Sequence, residues 1–470
     1  MRRQTILLTV CCFTMLAGCS TTRPQAGKCD TGEAAKVCST TRTGVEALRR
    51  SATNDVPMPP SAISDVIRNA AVVRASEARI AAADADIGKA RAMYMPTASF
   101  DASGTLRASD RHPAFANDPN NPYSYALTVR VPIYQGGRAE SAVTVAEASK
   151  RVAIENARDV SLSTTYELAL ALVDTERFRA TLAILSRHEK RLRALQRDVK
   201  GEREAGGATG VDVSDVERQL ASLAVNRQQT ALQLAQSEET LLRLDAGHGL
   251  KMTAVSNLSA RLPSDENALL QLALDHNPRL SERAARIDVA EARIQQAKSA
   301  YNPNLALDLS AGGDGHANSY NRQYEASAVL KLSVPLFTGG ARSAEIQGSR
   351  EELLATTLDR DAALSGVRAA LLTARARLDQ ARQMLAAARR EQGAANRLLD
   401  GIRSERKLGE RSVFDEIRTI GDVANAELNM NTAHANVLAA EVTLAAETGM
   451  LADFLGIAQP SGAEEVASLK

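Results

Sequence analysis

Two spacings of apolar residues alternate along this chain, and they do so twice in the same order. From Ser61 to Tyr94 the apolar positions Val66, Ala70, Val73, Ile80, Ala83 and Ile87 recur at helical spacing. Ser264 to Tyr301 does likewise through Leu269, Leu272, Ala273, Leu280, Ile287, Ala290 and Ile294. Both helices are predicted to stop at a proline, Pro96 or Pro303, and there the period changes to two. Ala98, Phe100, Ala102 and Leu106 alternate with Thr97, Ser99, Asp101 and Ser103; then Tyr125, Leu127, Val129, Val131 and Ile133 alternate with Ser124, Thr128 and Arg130. The second copy sets Leu305, Leu307 and Leu309 against Asp308 and Ser310, then Leu330, Leu332, Val334 and Leu336 against Ser327, Lys331 and Ser333. Strands are therefore predicted at about 97–108 and 123–134, and at about 304–311 and 324–337. Runs of about 10–12 residues with one apolar and one polar face suit tilted strands that cross a bilayer. The connectors Ser109 to Pro122 and Gly312 to Arg322, rich in Asp, Asn, Gly and Pro, read as exposed loops.

After each strand pair comes a long stretch without proline, 138–204 and 341–407, in which Ala, Leu and Val mix with charged residues. About 67 residues at ~1.5 Å per residue make a helix on the order of 100 Å long. Neither stretch holds the run of apolar residues needed to cross a membrane lengthwise. Leu185, Leu192 and Val199 repeat every seven residues beside His188 and Leu195, as a coiled-coil seam would. Return helices are predicted at 211–244 and 413–451, with turns at Gly206-Gly207 and at Gly409.

The two halves match in register. Val131-Pro132-Ile133-Tyr134 runs into Gly136-Gly137, and Val334-Pro335-Leu336-Phe337 into Gly339-Gly340, 203 positions later. Gly206, Thr209 and Asp212 recur as Gly409, Ser412 and Asp415 at that same offset of 203. This is an internal duplication whose paired signals are separated by elements of fixed length. Pro132, Gly136 and Gly137, with Pro335, Gly339 and Gly340, mark the strand-to-helix turns.

The ends carry other signals. Arg2-Arg3, the apolar stretch Ile6 to Leu16 and the site Leu16-Ala17-Gly18-Cys19 read as an export signal over 1–18 with lipid attachment at Cys19; the alternative is a plain signal peptide with an incidental cysteine. Residues 19–60, with four prolines and many Ser and Thr, read as a lipid-anchored tether. Repeat one then occupies 61–263 and repeat two 264–470, including a C-terminal tail. Cys29 and Cys38 are a possible disulfide in an oxidising compartment. A net charge of +1 offers no electrostatic case for nucleic acid. Aromatics at 3% with no tryptophan, beside 44% hydrophobics, suit long helices packed through small residues better than a large globular core. The six histidines are scattered, no glycine-rich phosphate loop follows a strand, and no metal-ligand spacing occurs, so neither an enzyme nor a cofactor is expected. Asp314 and His316, in a predicted loop, read as an exposed turn rather than a metal site.

Lipid offers no partners to an open sheet edge, so membrane strands must close into a barrel. Four strands per chain are too few, since the smallest barrels need about eight. Oligomerisation is therefore required, and three chains would supply twelve strands and twelve long helices around one lumen. A soluble sandwich of half-buried strands, or a lipid-anchored periplasmic coiled-coil scaffold without a pore, is the alternative.

The paired Val-Pro-[Ile/Leu]-[Tyr/Phe]-x-Gly-Gly strand ends, Tyr94-x-Pro96 and Tyr301-x-Pro303, Asn277-Pro278, and Gly409-Glu410-Arg411-Ser412-Val413-Phe414-Asp415 resemble the TolC family of outer-membrane efflux and secretion factors from about Ser61 to Leu455. The resemblance implies a homotrimer that is mainly α with membrane β: a twelve-stranded outer-membrane β-barrel continued by an α-helical coiled-coil barrel in the periplasm. It implies an export channel whose hairpin tips, at Gly206, Thr209, Gly409 and Ser412, meet a periplasmic adaptor (membrane fusion) protein and an inner-membrane pump of RND or ABC type. It also implies a tip constriction in which Asp415 matches an acid and Arg411 a basic residue that holds the tip closed. Arg418 stands where the family's second acid would be, and Asp212 and Asp215 of copy one are candidates for that role. Short acids in the first turn of a helix are also favoured by the helix dipole alone, which is the plainer account of all of them.

Overall fold

The computed structural model describes residues 60–105, 122–244, 258–316 and 323–457. Cys19, Cys29, Cys38 and the tether lie outside the described residues, as do the connectors 106–121 and 317–322. In chain order the elements are α1 (Pro60–Asn69), α2 (Ala71–Arg91), β1 (Thr97–Gly104), β2 (Pro122–Tyr134), α3 (Arg138–Glu204), α4 (Gly210–Arg243), α5 (Glu266–His276), α6 (Pro278–Ser299), β3 (Asn304–His316), β4 (Gln323–Ser333), α7 (Ala341–Lys407), α8 (Val413–Glu447) and α9 (Leu451–Phe454). The two long helices are 67 residues each.

The strands form one antiparallel sheet in the order β1-β2-β3-β4, so β2 and β3 join the two repeats. Arg130 grips Asp308 across that junction through Nε and Nη2, at 2.7 and 3.1 Å. Ser103 and Ser124, and Ser310 and Ser327, share hydrogen bonds of 2.8 Å on the same polar face. The other face leaves Phe100, Leu127, Leu330 and Leu332 exposed. Pro132 has no amide hydrogen to give the ladder, and the register shifts between Pro132 and Tyr134.

Each repeat folds its long helix back on a return helix, α3 on α4 and α7 on α8, while α2 packs on α3 and α6 lies between α3 and α7. The main core forms at mid-length, where Ile67, Leu168, Leu172, Leu269, Leu378 and Val442 are buried together. A second core fills the tip half with Leu185, Leu192, Leu195 and Val199 of α3, Val216 of α4, Leu399 of α7, and Ile417, Ile420 and Val423 of α8.

Four expectations are corrected. The helices predicted to run unbroken to Tyr94 and Tyr301 are each split. In repeat two Asn277, at ψ 114°, is extended because Pro278 follows it, and its side chain caps α6; Ala70 leaves the helical region at a similar ψ of 128° without a proline. Gly312 to His316 is strand rather than loop, and with it Asp314 and His316. Gly312 pairs with Ala126, and a Cβ there would lie 2.4 Å from the Tyr125 carbonyl oxygen, so the loop-like composition reflects close strand packing. Val334 to Phe337 is not strand, because β3 begins at Asn304 opposite Ser333 and offers those residues nothing to pair with. The second return helix ends at Glu447 rather than 451, where the Met450 amide turns back to the Ala445 carbonyl and Asn277 donates to the Glu447 carbonyl.

Candidate functional site

The strand-to-helix turns fix how the sheet meets the helices. Gly136 and Gly137 have φ of +63° and +84°, and Gly339 and Gly340 repeat this at +62° and +87°. At Gly136 space is also decisive, since a Cβ would come within 2.4 Å of the Asn302 Cβ and 2.8 Å of the Pro303 oxygen. Asn302 donates to the Gly136 carbonyl at 2.6 Å, locking the start of α3 to the end of α6.

At the opposite ends of α3 and α7 the chain reverses at Gly206 and Gly409, with φ of +81° and +80°. Thr209 and Ser412 cap the return helices in reciprocal capping boxes. The Asp212 amide donates to Thr209 Oγ1 at 3.3 Å, and the Thr209 amide and hydroxyl donate to Asp212 Oδ2 at 2.8 and 2.7 Å. Ser412 and Asp415 repeat the arrangement at 3.2, 3.2 and 2.9 Å. The hydroxyl and amide of Ser412, with Arg411 and Arg418 nearby, hold the exposed Asp415 carboxyl below its ordinary value of 3.8; Thr209 does the same for Asp212. Both acids are thus negative, solvent-facing and fixed at the tips.

Asp215 is bound to Arg218 at 2.7 Å on its own helix. Arg411 donates through Nε to Glu405 Oε2 at 2.7 Å, so within the chain it braces its own turn instead of reaching the other hairpin.

The link between hairpins falls to residues the sequence reading passed over. Arg406, near the end of α7, binds Glu416 of α8 and Glu202 of α3, and Arg403 reaches Glu416 at 3.0 Å. The Glu416 side chain is only 7% exposed, so two guanidinium groups balance a desolvated carboxylate. Farther from the tip, buried Glu427 of α8 takes Arg187 and Arg191 of α3 at 3.2 and 3.1 Å. Asn431 then donates to the Arg177 carbonyl and to Thr181, both at 3.0 Å. The signal was present: Glu416 and Glu427 fall on the stripe of α8 that Ile420 and Val423 mark as buried, where a charge requires a partner. Among the described residues, no group of His, Cys, Asp and Glu could hold a metal ion, and no helix is long and apolar enough to cross a membrane.

A sheet with one apolar outer face, carried on two helical hairpins of equal length with acidic tips, defines a membrane-embedded duct subunit. The outer membrane efflux protein family model matches residues 62–247 and 269–450, one segment per repeat, and the chain belongs to that family. It is 26% identical over 414 residues to the outer membrane efflux protein BepC of Brucella suis, covering 84% of this chain and 86% of that one. A shorter stretch of 102 residues, 21% of each chain, is 34% identical to the alkaline protease secretion protein AprF of Pseudomonas aeruginosa. The solved CusC channel shares the fold at a TM-score of 0.69 and 16% identity, over 83% of this chain and 91% of that one. Members of the family are trimeric channels, not enzymes, that work with adaptors and inner-membrane pumps. The chain is an outer-membrane export channel of the tripartite efflux and secretion type and extends into the periplasm.

Proposed function

We propose that three copies of this chain form one duct for efflux, lipid-anchored at Cys19, with the polar strand face toward the lumen and the tips of both hairpins toward an adaptor and pump. One observation carries the reading: the four-stranded sheet has two open edges, β1 and β4, beside an exposed apolar face. Such a sheet is stable in lipid only when its edges are closed, and three copies close it into twelve strands. The polar face then lines the pore with Ser, Thr and the Arg130–Asp308 pair, which suits passage without a binding site. Asp415 and Asp212 ring the narrow end, and the Arg406–Glu202 contact between hairpins holds that end closed. Similarity to BepC along most of both chains supports efflux over protein secretion, since the likeness to AprF is confined to a short segment. In planar bilayers, SDS-resistant trimers extracted from outer membranes are expected to open discrete channels. A monomeric protein without conductance would instead support the periplasmic scaffold.

A further inference from the structure

His188 is the one buried histidine among the described residues, at 8% exposure; His276 is half-buried and His434 exposed. It occupies a seam position of α3, one turn from Leu185 on one side and from Leu192 on the other, and both leucines belong to the core of the tip half. An apolar residue would fill that position without stranding a polar atom. The imidazole instead brings Nδ1, which is buried and has no hydrogen-bond partner among the described residues. Neither the apolar packing nor the clasp at Arg406 accounts for this ring.

Its charged surroundings decide what a proton would do there. On its own helix Arg187 and Arg191 flank it, and both are held by Glu427 of α8, at 3.2 and 3.1 Å. Glu189 turns away to Arg193 and to Arg227 of α4, at 2.6 and 2.7 Å. From α7, Glu391 is taken up by Asn429 of α8 at 3.3 Å. Two guanidinium groups against one carboxylate already leave surplus positive charge beside the seam. An imidazolium would add more, with a buried N–H that lacks an acceptor. Burial, and then Arg191, hold the ring below its ordinary value of 6.5, and Glu427 offsets part of this.

The ring is therefore neutral in the closed seam, and it takes a proton more readily once the hairpins part and water reaches it. Resting on the trimeric duct reading, we propose that His188 is a proton sensor in the seam between hairpins: an acid medium charges it, drives α3 from α8 beside Glu427, and favours the open tip. A group whose value is depressed in the closed state contributes fully above its ordinary value, here 6.5, and that contribution is lost as pH falls from there towards the depressed value. Acid thus weakens the polar pin at Glu427, a route separate from the clasp at Arg406.

Purified trimers of the parent protein, His188→Leu, His188→Gln and the exposed control His434→Gln are compared by hydrogen exchange and single-channel recording from about pH 7.5 to about pH 5. In the parent, amides around Leu192 and Ile420, corrected for intrinsic exchange, should exchange faster below 6.5 by at most about tenfold per pH unit, the limit for one proton, and by at least about threefold in all. Channel open time should lengthen over the same range. His434→Gln should respond as the parent does. Both His188 variants carry no titrating group at this position and should stay flat; glutamine decides where leucine disturbs the packing. A parent without the response, or His188 variants that keep it, would overturn the sensor and leave the duct intact. Parental protein that yields neither SDS-resistant trimers nor channels would overturn the duct reading, and the sensor with it.

Discussion

Replacing Arg406 with Leu tests the clasp between hairpins, because leucine keeps apolar contact where the arginine stem packs but removes both ion pairs. The Arg406 side chain is 14% exposed and Glu416 7%, so this half of the clasp is buried; Glu202 is 42% exposed and its share is screened. Removing one partner of a buried pair costs about 3–5 kcal/mol when the other charge is stranded. Arg403 still reaches Glu416, which lowers the expected cost to about 2–3 kcal/mol, while Glu202→Gln should cost about 0.5–1 kcal/mol. At about 1.4 kcal/mol per tenfold, amides in the first turns of α8 should exchange with solvent roughly 30- to 150-fold faster in Arg406→Leu. Amides of the mid-length core around Leu172 and Leu378 should keep their protection. Hydrogen exchange of purified trimers read by mass spectrometry measures both regions, and single-channel recordings should show a larger or longer-lived open state. If tip exchange and conductance both stay at the parental level, the hairpins are held together by the apolar contacts of Leu192, Ile420 and their neighbours, and the ion pairs are incidental.

Leu330→Arg, in the middle of β4 on the apolar face, should cost roughly 2–4 kcal/mol in lipid. Lys331→Gln, its neighbour on the polar face, should assemble normally, so equal loss of trimer in both variants would contradict the assignment of faces. Gly136→Ala adds a left-handed penalty of about 1–2 kcal/mol to an overlap with Asn302 and Pro303 worth about 1–3 kcal/mol. It should sharply reduce folded protein in outer membranes, and normal accumulation would refute the crowding argument. Asp212 and Asp415 have depressed folded-state pKa values, so their contribution to the tips is complete above the ordinary value of 3.8 and is lost as pH falls through the folded-state values. Tip amide protection, corrected for intrinsic exchange, should therefore fall as pH drops below the ordinary value of 3.8, and Asp415→Asn, which can still accept from the Ser412 amide, should flatten that dependence at α8. Cys19→Ser with an exportable signal should leave trimers in the outer membrane, since the barrel buries far more apolar surface than acyl chains do; recovery of soluble protein would argue against the barrel.

What could be read in advance was what is local and periodic. The long helices announce themselves because proline is absent and small apolar residues recur at helical spacing, and the residues of both capping boxes stand out as a repeated spacing, Thr209 to Asp212 and Ser412 to Asp415. What could not be read depends on neighbours. Ala70 interrupts a helix with no local cause, and its meaning shows only beside Asn277, which occupies the same place in repeat two. Gly312 to His316 looked like a loop because glycine serves both turns and close strand packing, and only the approach of Tyr125 separates the two. Val334 to Phe337 carries a strand pattern that a single chain cannot satisfy. At the tips, Asp415 stands out in the sequence for its place after the turn, whereas the neighbouring Glu416, carried to the buried side by one residue of helix rotation, holds Arg406, which makes the contact between hairpins through Glu202.

The placement of buried charge suggests why the duct can be both closed and able to open. The contacts of α3 with α8 at Asn431 and Glu427, and with α7 at Arg406, are polar, and they are spaced along an interface between hairpins otherwise filled by Leu185, Leu192, Ile420 and Val423. An apolar seam alone tolerates sliding by a turn, because one leucine fits the next hole almost as well. A hydrogen-bonded carboxylate in the same seam does not, since sliding strands a charge. Glu427 and Asn431 therefore fix the register of the two hairpins where Thr181 and Arg191 hold them. The clasp at Arg406 stands near the free end of the lever, where its half-exposed Glu202 partner can be replaced by water at small cost. On the proposed gating, separation at the tip would break that contact first and leave the deeper pairs intact, so that the hairpins would part about a fixed register without slipping along their length.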